Sequence, residues 1–175
     1  MSEPRNAAGF AGKGTYLLLA LAVLGLDQWT KWLVERHLPL GTSQEIVRGW
    51  LHLSHLRNPG VAFGMFADHG ASGGAWLLAI LGVAAIAVVT LYFRRAERDD
   101  VWLLSALALV LGGAVGNLLD RVATGAVTDF VGVYLGSYRW PDFNVADSAI
   151  SVGLVLLVLD SLRSPRVRTD PADAG

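Results

Sequence analysis

Cysteine is absent from all 175 residues, which excludes a thiol nucleophile, a thiolate metal site and any disulfide framework. Charge is missing from two long stretches. From Ala75 to Phe93, and again from Val101 to Leu119, nineteen residues pass without Asp, Glu, Lys or Arg, close to the roughly 20 that cross a hydrocarbon layer. An amphipathic helix of a soluble protein shows a polar face every turn, whereas Trp76-Leu77-Leu78-Ala79-Ile80-Leu81 is apolar all round, as suits a helix facing lipid. Net charge is also nearly absent, at −1, so only the placement of charge between apolar runs is informative. No basic patch for nucleic acid, internal repeat or low-complexity tract occurs. His52 and His55 lack the His-Glu-x-x-His spacing and a third ligand for a metal. There is no Gly-x-Ser-x-Gly, and Lys31 already has Asp27 one turn away, so a Ser/Lys mechanism is poorly served.

What remains is an all-α membrane protein. Its single domain, 1–175, is expected to be a four-transmembrane-helix bundle with spans at about 14–34, 75–93, 101–119 and 144–162. Thr15 to Leu26 is short enough for a signal-peptide core, but Asp27-Gln28-Trp29-Thr30-Lys31 follows in place of small residues, so a retained helix is expected. Two polar segments, about 35–74 and 120–143, separate the spans. Alternation from Ile46 to Leu56 suggests short strands at the membrane surface, and a small extracytoplasmic β-containing subdomain is expected largely from Glu35 to Gly74.

Orientation follows from basic residues. Arg5 and Lys13, then Arg94, Arg95 and Arg98, then Arg163, Arg166 and Arg168 fall on one side, eight against the six elsewhere. That side is expected to be cytoplasmic, with both termini on it. Trp29, Trp32, Trp76 and Trp140 then mark the outer interface, and Tyr92, Phe93 and Trp102 the inner one.

This arrangement gathers polar residues at the outer face. Asp27 and Lys31 end the first span, Asn117, Asp120 and Arg121 the third, and Asn144 and Asp147 begin the fourth. Helical spacing puts Asp27 with Lys31, and Asn117 with Arg121, on common faces, while Asn144 and Asp147 are neighbours at three residues. Carboxylates at that depth cost a few kcal/mol each on insertion scales, so they face the interior and are paired. Asp27 with Lys31, or Asp120 with Arg121, read equally well as ion pairs anchoring helix ends. Asp129 and Asp147 lack an adjacent basic residue, so two carboxyl groups sharing a proton can act as base toward water and as acid. By charge placement alone, Asp120 is as good a dyad member as Asp129. Asp142 reads as a loop carboxylate, Asp160 as an ion pair with Arg163, and Gly112 with Gly116 as a close-packing face. A proton-coupled transporter is the competing class, but its relay would have to continue through spans that carry no charge.

Five blocks make a resemblance specific. Asp27-Gln-Trp-Thr-Lys31, Arg57-Asn58-Pro-Gly60-Val-Ala62-Phe63-Gly64, Gly112 to Val122, Val127-Thr-Asp129-Phe130 and Phe143-Asn144-Val-Ala-Asp147-Ser148 resemble, in order, the signatures of the lipoprotein signal peptidases (signal peptidase II). Pro59 departs from the family's pattern. The resemblance implies an intramembrane aspartic endopeptidase of the bacterial inner membrane, with its active site at the outer face. Its substrates would be diacylglyceryl-prolipoproteins, cut before the lipid-modified cysteine. It matches Asp129 and Asp147 to the catalytic dyad, and Asn58, Asn117, Asp120, Arg121 and Asn144 to polar residues lining the site. Arg121 and Lys31 stand either to meet oxygens of the lipid-linked substrate or simply as cations near headgroups. Water as nucleophile needs no metal or organic cofactor. The expected partners are prolipoproteins and membrane lipid, with no nucleic acid, and the chain is expected to be a monomer.

Overall fold

In a computed structural model, residues 12–60 and 71–163 are described, with side chains over 12–60 and 76–163. Arg5, the Val61 to Gly64 stretch of the second block, Arg166 and Arg168 lie outside them. The described residues form helix α1 (Gly14–His37), strands β1 (Ser43–Val47) and β2 (Leu51–Asn58), helices α2 (Ala71–Arg95) and α3 (Val101–Thr124), strands β3 (Val127–Leu135) and β4 (Tyr138–Phe143), and helix α4 (Val145–Arg163), in that order. Each helix is long and apolar enough to cross a membrane.

Helix α3 is the central one, packing against α1, α2 and α4. Half of its most apolar window is buried, against 11% in α2. Glycine allows this closeness. A Cβ on Gly112 would stand 2.5 Å from the Ala20 carbonyl of α1, and one on Gly113 2.5 Å from the Ala146 carbonyl of α4, so the backbones themselves are in contact. Asp100 caps the start of α3 by accepting from Leu103 N at 3.2 Å. The helix runs past the expected end near Leu119 to Thr124, because Asp120 is neutralised in place by Lys31 at 2.8 Å. It stops where Gly125 takes the left-handed conformation, φ 76°.

At the opposite end of the molecule, Lys13 is fully buried. Its Nζ donates to the carbonyls of Phe93, Arg94 and Ala96 at 2.6, 3.0 and 2.8 Å, covering carbonyls that the end of α2 leaves without helical partners. Phe93, expected at a membrane interface, is instead fully buried against Ala20, Leu104, Leu107 and Ala108. Tyr92 and Trp102 are exposed there. Asp160 and Arg163 do not pair. Arg163 lies over the Trp102 ring at 4.3 Å, where the indole face attracts it.

The strands form one antiparallel sheet in the order β1-β2-β3-β4, which corrects the expectation that the β-structure comes largely from Glu35 to Gly74. A lone β1-β2 hairpin would be marginal, and the second polar segment supplies the other half. Strand β3 opens Val127-Thr128-Asp129-Phe130, all buried. Phe130 packs with Val34 and Leu38 at the end of α1. The register opposes Leu56 to Asp129 and Asn58 to Val127, which brings Asn58 diagonally beside Asp129.

Candidate active site

Polar side chains from α1, β2, β3, α3 and α4 meet where the sheet joins the helices. Asn144 organises them. It precedes α4, and its Oδ1 accepts from Asp147 N at 2.9 Å while Asp147 Oδ2 accepts from Asn144 N at 3.3 Å. This reciprocal pair covers two amides at the helix start, in the manner of a capping box. Asp27 of α1 accepts from the next free amide, Ala146 N, at 2.9 Å. Two carboxylates thus sit at the positive end of α4, where its dipole favours them.

The Asn144 side-chain amide donates to Asp129 Oδ1 at 2.8 Å, and Asn58 donates to Asp129 Oδ2 at 2.8 Å. Asn117 donates to Asp147 Oδ1 at 2.7 Å. Asp129 is 3% exposed. Burial pushes its carboxyl up from 3.8 to about 6, because desolvation disfavours the charged form. The neighbouring Asp147 pushes the same way, while the Asn58 and Asn144 hydrogen bonds and the Lys31 charge oppose. Asp147 is half-buried and opens onto a cavity of about 570 Å³ lined by Trp140, Pro141, Phe143, Ser148 and Val152. The site therefore has one enclosed carboxyl whose protonated form burial favours and one that reaches a largely apolar opening.

A second cluster adjoins it. Lys31, 3% exposed, donates to Asp27 Oδ2 at 2.8 Å and Asn117 Oδ1 at 3.0 Å, and pairs with Asp120 Oδ2 at 2.8 Å. With its ammonium so enclosed, Lys31 is not placed to meet lipid oxygens. Asp120 pairs with Lys31 in place of Arg121. Arg121 Nη1 donates to the Asn117 carbonyl at 3.3 Å, its buried Nε has no partner among the described residues, and the opposing charges of Asp147, Asp120 and Asp129 act on it.

The sequence pattern of signal peptidase (SPase) II matches residues 19–163. The chain belongs to this family. It is 42% identical to the lipoprotein signal peptidase of Halalkalibacterium halodurans, over 86% of this chain and 94% of that one. Identity is also 42% to the Pseudomonas putida lipoprotein signal peptidase, over 93% and 95%. Two solved structures of bacterial membrane enzymes superpose with TM-scores of 0.77 and 0.78 at 29% and 30% identity, over 90% and 86% of this chain and 93% and 94% of theirs. Membership and four apolar helices make the chain a multi-pass inner-membrane peptidase.

All nine site residues singled out from this family's blocks come together: Asp129, Asp147, Asn58, Asn117, Asp120, Arg121, Asn144, Asp27 and Lys31. Sequence reasoning passed over two others. Gln28 donates to Asp120 Oδ1 at 2.9 Å and Asp27 Oδ2 at 3.2 Å. Thr128 donates its hydroxyl to Glu35 at 2.7 Å and its amide to Asp120 at 3.3 Å. The available signal was that Gln28 and Thr128 are polar residues beside Asp27 and Asp129 inside the quoted blocks. His55 Nδ1 meets the Leu38 carbonyl at 2.8 Å and the His52 ring packs tilted against Tyr134; among the described residues no group of three metal-ligating side chains converges.

Proposed function

We propose that this chain is an aspartic endopeptidase that removes the signal peptide from diacylglyceryl-prolipoproteins, cutting before the lipid-modified cysteine, with Asp129 and Asp147 as the catalytic dyad. The observation that carries this is the pair itself. Two carboxyls from a strand and a helix are linked through Asn144, held by amide donors with no cation among the described residues bonded to either, and burial raises the more enclosed one to about 6. Such a pair divides acid from base. Asp147 takes a proton from a water as its oxygen attacks the scissile carbonyl carbon, and Asp129 gives its proton to the carbonyl oxygen. Collapse of the tetrahedral species breaks the C–N bond as the proton held by Asp147 passes to the leaving amine, and one hydroxyl of the former carbonyl carbon returns a proton to Asp129 as the new carboxyl forms.

The other residues support that chemistry. Asn58, Asn117 and Asn144 fix the carboxyl groups, Asp27, Lys31 and Asp120 fix the helices that carry them, and Arg121 faces the site with donor capacity to spare. The cavity beside Asp147 suits the lipid-bearing side of a substrate already in the bilayer. In this reading the four helices form a transmembrane bundle in one domain, 1–175, the sheet is extracytoplasmic, and the dyad lies at the outer face. Lys13, Arg94, Arg95 and Arg98 lie at the other end, which makes that end and both termini cytoplasmic. Reporters fused after Arg98 and at the C-terminus should read cytoplasmic, and one at Ser137 extracytoplasmic.

The deciding experiment incubates purified protein with a lipid-modified precursor and follows the loss of the signal peptide by size. Cleavage by the wild type, absent in Asp129→Asn and Asp147→Asn proteins that remain folded, is the expected result. Cleavage that survives either substitution rules out the dyad.

A further inference from the structure

At the end remote from the dyad, a cavity of about 350 Å³ lies among α2, α3 and α4, with walls that include Val88, Tyr92, Leu103, Leu107, Leu157 and Asp160. It is apolar but for its rim. Asp160 is half-buried, and among the described residues its carboxylate has no ion-pair or hydrogen-bond partner. Arg163, one turn on, lies over Trp102 instead. Asp100 is engaged in capping α3. Asp160 stands three residues before the end of α4, where a carboxylate without a partner favours the approach of a cation.

From this geometry, and resting on the signal-peptidase reading above, we propose that the cavity seats the cationic beginning of the substrate's signal helix, with Asp160 contacting its Lys or Arg. Signal peptides place a positively charged segment before an apolar core of about 7–15 residues, and cleavage follows the core. Asp160 lies thirteen residues beyond Asp147 on α4, which at about 1.5 Å per residue is roughly 20 Å. Thirteen residues at about 100° each leave Asp160 roughly 140° around α4 from Asp147, so an apolar helical core of similar length, with its cut end at Asp147, brings its basic residues to Asp160 by crossing α4 obliquely. Charge complementarity selects this occupant over an anionic phospholipid, whose headgroup Asp160 repels, and capture by a photoreactive group at position 161 separates it from a zwitterionic one, whose ammonium offers the same charge. The cavity is then a specificity subsite that reads the length of the core and the charge before it.

The test uses the full-length protein and two lipid-modified precursors, one with lysines before the core and one with glutamines there. Asp160→Asn should raise KM for the lysine precursor about three- to ten-fold with little change in kcat, and leave the glutamine precursor unaffected. Asp160→Lys should weaken the lysine precursor further and recover activity on a third precursor with glutamates at those positions. Equal effects of Asp160→Asn on the lysine and glutamine precursors, or no effect on either, overturn the proposal. So does a photoreactive group at position 161 that captures phospholipid and never precursor. A wild type that cleaves none of the precursors overturns the signal-peptidase reading and this inference with it, whereas cleavage indifferent to the charge at position 160 overturns the inference alone.

Discussion

Two polar clusters stand side by side where the sheet meets the helices, and each contains two carboxyl groups. In the first, Asp27 and Asp120 close around Lys31, with Gln28 bridging them. In the second, Asp129 and Asp147 receive amide donors from Asn58, Asn117 and Asn144. Asn117 belongs to both, accepting from Lys31 and donating to Asp147. A cation bonded to a carboxylate commits it to the charged form and makes it a strut. Amide donors hold a carboxyl in place and leave its proton exchangeable. On the proposed mechanism, the same residue type thus serves structure in one cluster and chemistry in the other.

The largest expected effect separates the clusters by activity. Asp129→Asn and Asp147→Asn should each lower cleavage per folded molecule by about a thousand-fold or more, and the double mutant should be little worse, because residues acting as a unit are not additive. Asp120→Asn should stay within about ten-fold of wild type at matched folded protein, since general acid–base catalysis worth 10²–10⁴ is not its task. Losses that multiply in the Asp129/Asp147 double mutant would mean that the two residues act independently.

Stability separates the clusters in the opposite sense. Lys31→Met leaves Asp27 and Asp120 buried without their shared cation, which should cost about 3–5 kcal/mol. Asp129→Asn removes a carboxyl that burial disfavours, and should leave stability unchanged or raised at neutral pH. Thermal unfolding in detergent, followed by loss of folded monodisperse protein, ranks the two. A Lys31→Met protein as stable as Asp129→Asn would erase the distinction between strut and dyad.

The helices and the convergence of polar residues were legible because uninterrupted apolar runs set the spans and helical spacing placed Asp27 above Lys31. The sheet was half legible. Alternation showed in Ile46 to Leu56, but β3 begins with four residues buried on both faces, so no alternation marks it. Its partner β2 lies about seventy residues earlier in the chain, a pairing that spacing cannot reveal. Phe93 was misplaced for a related reason: an aromatic at a helix end reads as an interface anchor unless its packing against α1 and α3 is seen. Asp120 and Asp129 were equivalent by charge placement until Lys31, reaching across from α1, paired with one and left the other with amides.

A smaller stability effect probes how closely the clusters are fitted to α3. A methyl group at Gly116 would stand 2.5 Å from Asp27 Oδ2, forcing the carboxylate off Lys31 or α1 off α3. Gly116→Ala should therefore cost about 1–3 kcal/mol by overpacking. The effect should be weaker when Asp27 is also changed to Ala, because the two then couple through the same space. Full additivity in that double mutant would show that Gly116 acts elsewhere.

The smallest expected effect, on pH dependence, is also the most specific to the second cluster. Asp129 has its carboxyl raised to about 6, so the folded protein retains this proton where the unfolded chain, titrating near 3.8, has lost it. The resulting stabilisation is fully present below the unfolded value, declines as pH rises through about 6, and is absent in Asp129→Asn. Activity follows the same proton: if Asp129 is the acid, kcat/KM should fall as pH rises through about 6, as an apparent value belonging to the coupled pair. Asn58 donates to Asp129 Oδ2 at 2.8 Å and so favours the ionised form. Asn58→Ala removes that donor, keeps the proton bound to higher pH, and should move the alkaline limb up by roughly half a pH unit. Thr128→Val, which deletes a hydroxyl bonded to Glu35 and not to the dyad, should leave the limb where it is. A limb that moves down in Asn58→Ala, or moves equally in Thr128→Val, would show that the titrating group is not Asp129.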